Sequence, residues 1–209
     1  MAFQTKQDHV AEILRERIIA GIYARGDKLK QADIAAELGV SITPVREALQ
    51  MLEAEGYVHG LAHKGVLVPE LVAERQQEIF DLRLNLEQEL TLHAIRNMAK
   101  TDLKLIQSIQ KQLNEAIRNQ DINAVRTENY RFHFKLYELA QRPQTLKFVR
   151  VLWAQYPFTR QDKTSSRPDT MRKEHEHFLE QLAAGNEAGA VQAMLDHIQS
   201  GWKQLHLDQ

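Results

Sequence analysis

The uneven distribution of glycine constrains the fold of this chain more than any other feature of its sequence. Glycines and short apolar runs crowd the first seventy residues, whereas the rest of the 209-residue chain shows long helical periodicity. Because glycine and proline end helices, this change predicts two units, residues 1–70 and residues 71–209, with Pro69 marking the boundary region. With only 9 Gly and 5 Pro in total, we expect a mainly α-helical protein.

Six helical segments are predicted from about Val72 onward, because apolar residues repeat there at intervals of three and four. Short connections between such segments favour an all-α antiparallel helical bundle of about six helices. The chain has no run near the roughly 18 apolar residues of a membrane span and no signal-peptide core at its start. We therefore expect a soluble, cytoplasmic protein that has no membrane partner.

Composition excludes several classes of site. The chain contains no cysteine, which rules out disulfides, thiolate zinc fingers, iron–sulfur clusters and a cysteine nucleophile. The net charge of −1 does not by itself indicate a partner.

The segment that begins at Gln31 has the spacing of a helix-turn-helix. A short helix is predicted over Gln31–Leu38, and Gly39 permits the tight turn that follows it. A second helix begins after Ser41 or Thr43, with Pro44 in its first turn, where a missing N–H has no cost. Next, Tyr57-Val58 and the apolar run 66–68 flank Gly60–Gly65, a pattern typical of a β-hairpin. Together these elements predict a winged helix-turn-helix with a small β-hairpin wing.

In this architecture the second helix enters the DNA major groove with its N-terminal residues facing the bases. Ser41 and Thr43 can donate hydrogen bonds to phosphates, and Arg46 can reach a guanine edge or a phosphate. The alternative for this pattern alone is a helix pair that serves only for packing. Residues 1–70 hold more acidic than basic side chains, although DNA-binding domains usually have a basic face. We therefore expect four acidic residues to be turned away from the DNA: Glu12, Glu16, Glu53 and Glu55.

The stretch Gly39-Val-Ser-Ile-Thr-Pro-Val-Arg-Glu-Ala-Leu49, followed by Leu52-Glu-x-Glu-Gly-Tyr-Val58, resembles the winged helix of GntR-family bacterial transcription regulators. The resemblance covers nearly all of residues 8–69. The family usually has arginine where this chain has Ile42, so its operator need not follow the common half-site. The resemblance implies contacts with double-stranded operator DNA by the following residues: Ser41, Thr43, Arg46, His63, Lys64 and Gly65.

Three predicted helices of the second unit each place one histidine on their apolar face. These are His133, His175 and His197, and Asn129 lies one helical turn before His133 on the same face. Neutral imidazole is the commonest metal ligand in proteins. A single buried histidine is more often a hydrogen-bonded core residue, but three that converge beside a polar partner indicate a binding site.

This arrangement is similar to the FCD-type effector domain that follows the winged helix in one GntR subfamily, and the resemblance spans about residues 72–205. The family pattern is Asp-x3-His on one helix and a single histidine on each of two later helices, which coordinate a divalent metal. The resemblance implies that Arg83 faces the effector pocket. It also implies a metal- and effector-binding set: Asn129, His133, His175 and His197.

Asn129 departs from the family pattern, because its amide offers a neutral oxygen in place of an aspartate carboxylate. Three histidines and an amide leave the 2+ charge of the metal without an anionic protein ligand. We therefore expect a small carboxylate metabolite as effector, bound to the metal and to Arg83, with zinc or nickel as the cofactor. Two alternatives stay open: the metal ion itself is the signal, or the site binds no metal and the histidines contact the effector directly.

The predicted function is that of a ligand-responsive transcription regulator, a homodimer whose two winged helices bind a pseudo-palindromic operator. Repression is the usual outcome in the family. Catalytic zinc sites also use three histidine ligands, so a metal-dependent enzyme is the remaining alternative. Glu174 and Asp196 are adjacent to histidines in sequence, but helical geometry predicts that both face away from the site. With no general base patterned there, we expect that the protein is not an enzyme.

Overall fold

The computed structural model describes residues 5–61, 65–156 and 167–207, the side chains of 205–207 excepted. The first unit contains α1 (Lys6–Ala20), β1 (Lys28–Leu29), α2 (Gln31–Leu38), α3 (Ile42–Ala54), β2 (His59–Leu61) and β3 (Gly65–Leu67). After a 3-10 turn over Ala73–Arg75, the second contains α4 (Gln76–Asn97), α5 (Lys100–Arg118), α6 (Ile122–Glu138), α7 (Pro143–Ala154), α8 (Arg167–Ala183) and α9 (Glu187–Leu207). The predicted fold class is confirmed: a winged helix-turn-helix is followed by a bundle with six helices in the described part of the chain.

The core of the first unit forms where α1 packs across α3. Gly21 ends α1 in the left-handed region at φ +78°, as its position after the last apolar residue predicts. Six aliphatic side chains from the two helices are almost completely buried: Val10, Leu14, Ile18, Val45, Leu49 and Leu52.

The wing is a three-stranded antiparallel sheet in the order β1-β3-β2. The predicted hairpin is present as β2 and β3, with His59 opposite Leu67, but its first strand covers His59–Leu61 and not the predicted Tyr57-Val58. β1 pairs with the other edge of β3, where Lys28 also lies opposite Leu67. No sequence pattern predicted β1, since a strand of two residues is too short to show alternation. His63 and Lys64 lie outside the described residues.

The bundle is built around α4, α6 and the α8–α9 pair. Its centre is aromatic, and large rings from three helices are almost completely buried there: Tyr130, Phe132, Phe134, Tyr137, Trp153 and Phe178. In the described part of the chain, no helix has the length and apolar character needed to cross a membrane.

Direct contacts join the winged helix to the bundle, mainly between α1 and α6. The guanidinium Nε of Arg131 lies 2.9 Å from Oε1 of Glu16, and Nη1 of Arg126 donates to the carbonyl of Ala20 at 3.1 Å. The C-terminal half of α1 therefore lies directly against the helix that carries His133.

Candidate ligand site and DNA-facing helix

Three helices of the bundle bring the three predicted histidines together. His133 on α6, His175 on α8 and His197 on α9 are 1%, 0% and 4% exposed. The Nε2 atom of His197 lies 3.0 Å from Nε2 of His133 and 3.3 Å from Nε2 of His175. The ligating atoms of the three rings all lie within 4.8 Å of one another, close enough to hold one metal ion.

The outer nitrogen of His175 is held by an amide from α5. Oε1 of Gln110 lies 2.9 Å from Nδ1 of His175, while the Nε2 amide of Gln110 donates to Oδ1 of Asn114 at 2.8 Å. Because the second bond fixes which end of the amide faces the ring, Nδ1 of His175 must be the donor. The proton therefore resides on Nδ1, and Nε2 presents a lone pair to the cluster.

The outer nitrogen of His133 is held through Tyr137, one helical turn later on α6. The phenol of Tyr137 donates to Oε2 of Glu87 at 2.6 Å, so its oxygen accepts from Nδ1 of His133 at 3.0 Å. Glu87 is fully buried and also accepts from Nε of Arg83 at 2.6 Å and from Nε1 of Trp153 at 3.1 Å. Burial, and then the charge of Glu87, raise the pKa of Tyr137 well above its usual value, which keeps the phenol protonated.

The outer nitrogen of His197 faces a carboxylate, which corrects the prediction that Glu174 points away from the site. Oε2 of Glu174 lies 2.8 Å from Nδ1 of His197 and also accepts from Nη1 of Arg167 at 2.8 Å. Glu174 does lie off the direction of its neighbour His175, but α9 packs alongside α8 and brings a different histidine to it. The Nη2 atom of Arg167 is 3.3 Å from the same Nδ1. The shorter contact, to a charged acceptor, determines that Nδ1 carries the proton.

The three Nδ1–H bonds leave three Nε2 lone pairs directed at one another. Burial, followed by the neighbouring charges, lowers the pKa of each ring well below its usual value, so all three are neutral at pH 7. Nε2 of His197 lies 3.0 Å and 3.3 Å from Nε2 of the other two rings. Lone pairs on nitrogen atoms this close repel one another unless an electrophile lies between them. Neutral imidazoles with outer hydrogen-bond partners are the usual ligand arrangement of protein metal sites, so the donor set fits a divalent metal ion.

Asn129 completes the set predicted from sequence. It is 7% exposed and lines the same cavity as His133 and His197. Its Oδ1 is buried without a hydrogen-bond partner in the described part of the chain. A buried amide oxygen without a partner is costly, and coordination to a metal ion, or a donor group on a ligand, would satisfy it.

Three guanidinium groups line the cavity beside the histidines: those of Arg83, Arg126 and Arg167. Arg83 is 3% exposed, and its guanidinium carbon lies 4.0 Å from the ring centroid of Tyr156. Burial acts to lower the pKa of Arg83, but Glu87 outweighs this and raises it. The volume within the cavity is about 30 Å³, room for about two water molecules. The site is therefore small and cationic, and Trp153 and Tyr156 form part of its lining.

Sequence reasoning missed the outer partners of the histidines. Two of them carried a local signal: Glu87 lies four residues after Arg83, and Tyr137 four residues after His133, so each pair shares a helix face. The other three come from a different helix than the histidine they contact and had no such signal: Gln110, Arg167 and Glu174.

The predicted DNA-facing residues lie together at the start of α3. Ser41 is the N-cap residue of the helix and makes no side-chain cap hydrogen bond. Ser41, Thr43 and Arg46 are all exposed, whereas Pro44 and Val45 between them are buried. Ile42, where the GntR family has arginine, is 51% exposed. The first turn of α3 thus presents two hydroxyls and one guanidinium to solvent.

The four acidic residues expected to be turned away from DNA each have a partner elsewhere. Glu12 and Glu55 bind the buried guanidinium of Arg15, with closest contacts of 2.8 and 2.7 Å. Oε1 of Glu53 accepts from the backbone N–H of Gly60 at 2.7 Å. The fourth, Glu16, pairs with a bundle arginine on α6. These pairs occupy four carboxylates of a unit that has an acidic excess, while Arg46 stays exposed near the start of α3.

Gly65 has a structural reason to be glycine. Its φ is +89°, and a Cβ atom there would collide with the carbonyl oxygen of Leu29. The residue therefore allows β3 to approach the end of β1 closely.

The two units of the chain match two known protein families. Residues 6–68 match the family described as bacterial regulatory proteins, gntR family, and residues 78–200 match the FCD domain. The chain is 28% identical to the Nta operon transcriptional regulator of Aminobacter aminovorans. That alignment spans 180 residues and covers 86% of this chain and 85% of that protein. It is 30% identical to the gluconate operon transcriptional repressor of Bacillus subtilis. This second alignment spans 144 residues and covers 69% of this chain and 57% of that protein.

Solved structures show the same architecture. McbR/YncC of E. coli superposes with a TM-score of 0.81 at 22% identity, over 98% of both chains. A GntR transcriptional regulator from Rhodococcus sp. RHA1 superposes with a TM-score of 0.71 at 25% identity, over 95% of this chain and 96% of that one. The arrangement of a winged helix and a helical bundle is therefore shared with these proteins.

Proposed function

The chain belongs to the GntR family of bacterial regulatory proteins and carries an FCD domain, and from this premise we propose how its DNA binding is controlled. It is a DNA-binding transcription regulator and not an enzyme. In our proposal, residues 1–70 bind the operator, and residues 71–209 form a homodimer and bind a small organic acid together with a divalent metal ion. The acid sets the affinity for the operator, and binding to DNA represses transcription.

The observation that carries the metal proposal is the convergence of three Nε2 atoms whose protonation is fixed from outside. His133, His175 and His197 would hold the ion through Nε2, and Asn129 would add its buried Oδ1. Zinc and nickel suit a site with this many nitrogen donors. When bound, the ion supplies positive charge that attracts an anionic ligand.

The absence of a carboxylate among these four ligands supports an anionic effector. A carboxylate group on the effector would neutralise part of the charge of the ion, a role that the amide of Asn129 cannot fill. Arg83 lines the same cavity and would bind the other end of the acid. Its pairing with Glu87 and its contact with Tyr156 hold the guanidinium in a defined orientation.

One observation favours a second candidate function, in which the metal ion alone is the signal. A cavity of about 30 Å³ accommodates an ion and roughly two water-sized groups, so an organic acid requires movement of lining side chains. In that case operator affinity follows the metal concentration without an organic ligand.

On the DNA side, Ser41, Thr43 and Arg46 would contact the operator from the major groove. The wing would add contacts from His63, Lys64 and Gly65. A homodimer presents two such units, and the spacing between them sets the spacing of the operator half-sites.

The test begins with a DNA duplex selected from a random library by the full-length protein. Its affinity is measured with metal-free protein, with zinc or nickel, and with zinc plus oxalate, malonate, malate or citrate; elemental analysis gives metal per chain. A change in affinity that needs both zinc and an acid supports the effector proposal, and a change with zinc alone supports the metal signal. Protein that binds neither zinc nor nickel overturns both.

A double variant assigns the site. His133→Ala with His197→Ala is expected to abolish zinc binding and the response while DNA binding survives. His177→Ala is the matched control, because that histidine lies on α8 with its side chain 58% exposed. A normal response in the double variant overturns the assignment of these histidines.

A further inference from the structure

The ligand cavity is not lined by the bundle alone. Ile19, from α1 of the winged helix unit, is one of its lining residues and is 4% exposed. The neighbouring Ile18 and Leu14 belong to the core that α1 shares with α3. A group that enters the cavity therefore contacts the same helix on which the recognition helix is packed.

Arg126 makes the most direct link between the cavity and α1. Its side chain lines the cavity, and its Nη1 donates to the carbonyl oxygen of Ala20 at 3.1 Å. Ala20 is the last residue of α1, and carbonyls in the last turn of a helix lack partners within the helix. A cation at this end is also favoured by the helix dipole, so Arg126 stabilises the position of α1 against the bundle.

The other two arginines of the cavity are held within the bundle. Arg83 pairs with Glu87 on its own helix, and Arg167 pairs with Glu174 on α8. Among the contacts between described residues, Arg126 is the one of these three arginines that donates a hydrogen bond to α1. A change in its position therefore acts on the winged helix, whereas a change at either of the others acts first on the bundle.

A carboxylate in the cavity would compete with Ala20 for this guanidinium. Hydrogen bonds to an ionised acceptor are about twice as strong as those to a neutral one. The cavity volume of about 30 Å³ is also too small for an organic acid unless a lining side chain moves. A movement of the Arg126 side chain toward the ligand would satisfy both requirements at the expense of the bond to Ala20.

We propose that Arg126 binds the acidic ligand and that its transfer from the Ala20 carbonyl to the ligand carboxylate couples the cavity to the winged helix. This inference rests on the proposed function, in which an organic acid binds beside the metal. It adds the residue that detects the acid and the contact that is lost. Without Arg126, the link is already broken, so the protein takes the DNA affinity of its ligand-bound state.

Arg131 provides a matched control on the same helix. It also joins α6 to α1, through the 2.9 Å contact between its Nε and Oε1 of Glu16. Its side chain is 45% exposed, and it is not among the residues that line the cavity. Because exposed ion pairs contribute little to stability, Arg131→Gln should not disturb folding. It removes a link between the two units and does not touch the ligand site.

The experiment uses zinc-loaded full-length protein and the duplex selected by the wild type. Oxalate, malonate, malate and citrate are ranked by isothermal titration calorimetry, and the tightest binder serves as the probe. In wild type the probe is expected to change the operator Kd at least about fivefold, the lower end of typical coupling. Arg126→Gln without the probe is expected to show the Kd of probe-bound wild type, and the probe then changes it less than about twofold. Arg131→Gln is expected to follow wild type in both states.

Two outcomes overturn the inference alone: Arg126→Gln keeps the Kd of probe-free wild type, or Arg131→Gln behaves like Arg126→Gln. Wild type that selects no duplex, binds no metal or binds none of the four acids with a Kd below about 10 mM overturns the proposed function, and the inference with it.

Hydrogen exchange on wild-type protein avoids any effect of the substitution on folding. Backbone amides of residues 21–23, which cap the end of α1, are expected to exchange faster when zinc and the probe are both present. Unchanged exchange there, with protection elsewhere around the cavity, overturns the inference.

Discussion

Gln110 holds His175 in the tautomer that a metal ligand requires. Its Oε1 lies 2.9 Å from Nδ1 of the ring, and it reaches the ring from α5, the side opposite the cluster of Nε2 atoms. Gln110 is itself only 3% exposed, and Asn114 fixes the orientation of its amide. A residue outside the three-histidine cluster thus determines that Nε2 of His175 presents its lone pair to the other two rings.

Gln110→Leu should weaken zinc binding. Leucine has a similar volume but accepts no hydrogen bond, so Nδ1 of His175 loses its partner and the ring its fixed orientation. Loss of such an outer partner typically costs 10–100-fold in metal affinity. A competition titration against a chromophoric chelator measures the change, and Gln112→Leu on the exposed side of α5 is the control. Wild-type affinity in Gln110→Leu would show that the amide has no such role.

The metal-free protein should lose stability as the pH falls below about 6.5. Burial lowers the pKa of His133, His175 and His197 well below the ordinary value of 6.5, so the folded protein keeps them neutral. The unfolded chain takes up these protons as the pH falls through 6.5, which favours unfolding; above that pH neither state binds them and the effect vanishes. Each histidine contributes up to about 1.4 kcal/mol per pH unit.

Urea unfolding of chelator-treated protein between pH 5 and 8 measures this dependence. His175→Phe should reduce the slope of the unfolding free energy against pH by the equivalent of about one proton, because phenylalanine does not titrate. Phenylalanine can also preserve the stacking on Phe132, whose ring centroid lies 4.0 Å from that of His175. A slope unaffected by this substitution contradicts the prediction.

The histidine cluster was predictable from sequence because helical periodicity alone determines which side of a helix a residue faces. His133, His175 and His197 each follow the apolar repeat of their own helix, and the bundle has a single interior toward which those faces point. Gly39 was predictable for a similar reason, since a turn between two helices needs a residue that adopts positive φ. These predictions rest on local geometry.

The histidine partners that come from other helices were not predictable, because these contacts depend on how helices are placed against one another. The contact between Glu174 and His197 requires α8 and α9 to pack at a particular offset, which no repeat in either helix encodes. The bond from Arg126 to Ala20 likewise crosses between the two units. The prediction that Glu174 faces away failed because it considered only the helix on which Glu174 lies.

Asn129→Asp should tighten metal binding and reduce the need for an anionic ligand. The substitution keeps the size of the side chain and replaces a neutral oxygen, buried without a partner, by a carboxylate. We expect zinc to bind at least about tenfold tighter, since the charge attraction in a buried site exceeds 1.4 kcal/mol. The chelator competition assay measures this, with Asn119→Asp at the exposed end of α5 as control. Unchanged zinc affinity would place Asn129 outside the coordination sphere.

Arg46→Ala should abolish specific operator binding and leave the fold intact. The residue is exposed on the first turns of α3, so its removal creates no cavity, while a lost bidentate contact with guanine costs about 1–3 kcal/mol per half-site. Fluorescence anisotropy with the selected duplex measures the affinity, and its salt dependence separates a base contact from a phosphate contact. Arg118→Ala at the exposed end of α5 is the matched control. Unchanged operator affinity in Arg46→Ala contradicts the placement of the recognition helix.

Gly65→Ala and Gly39→Ala should differ in their effect on stability although both glycines have positive φ. At Gly39, φ is +65° and nothing lies within 4 Å of an added Cβ, so alanine costs about 1 kcal/mol from the backbone conformation alone. At Gly65, φ is +89° and the added Cβ collides with the carbonyl of Leu29. Because that oxygen belongs to the backbone, β1 must move, and we expect a loss of more than about 2 kcal/mol. Chemical denaturation of the two variants compares these costs, and equal losses would show that the wing accommodates a side chain at this position.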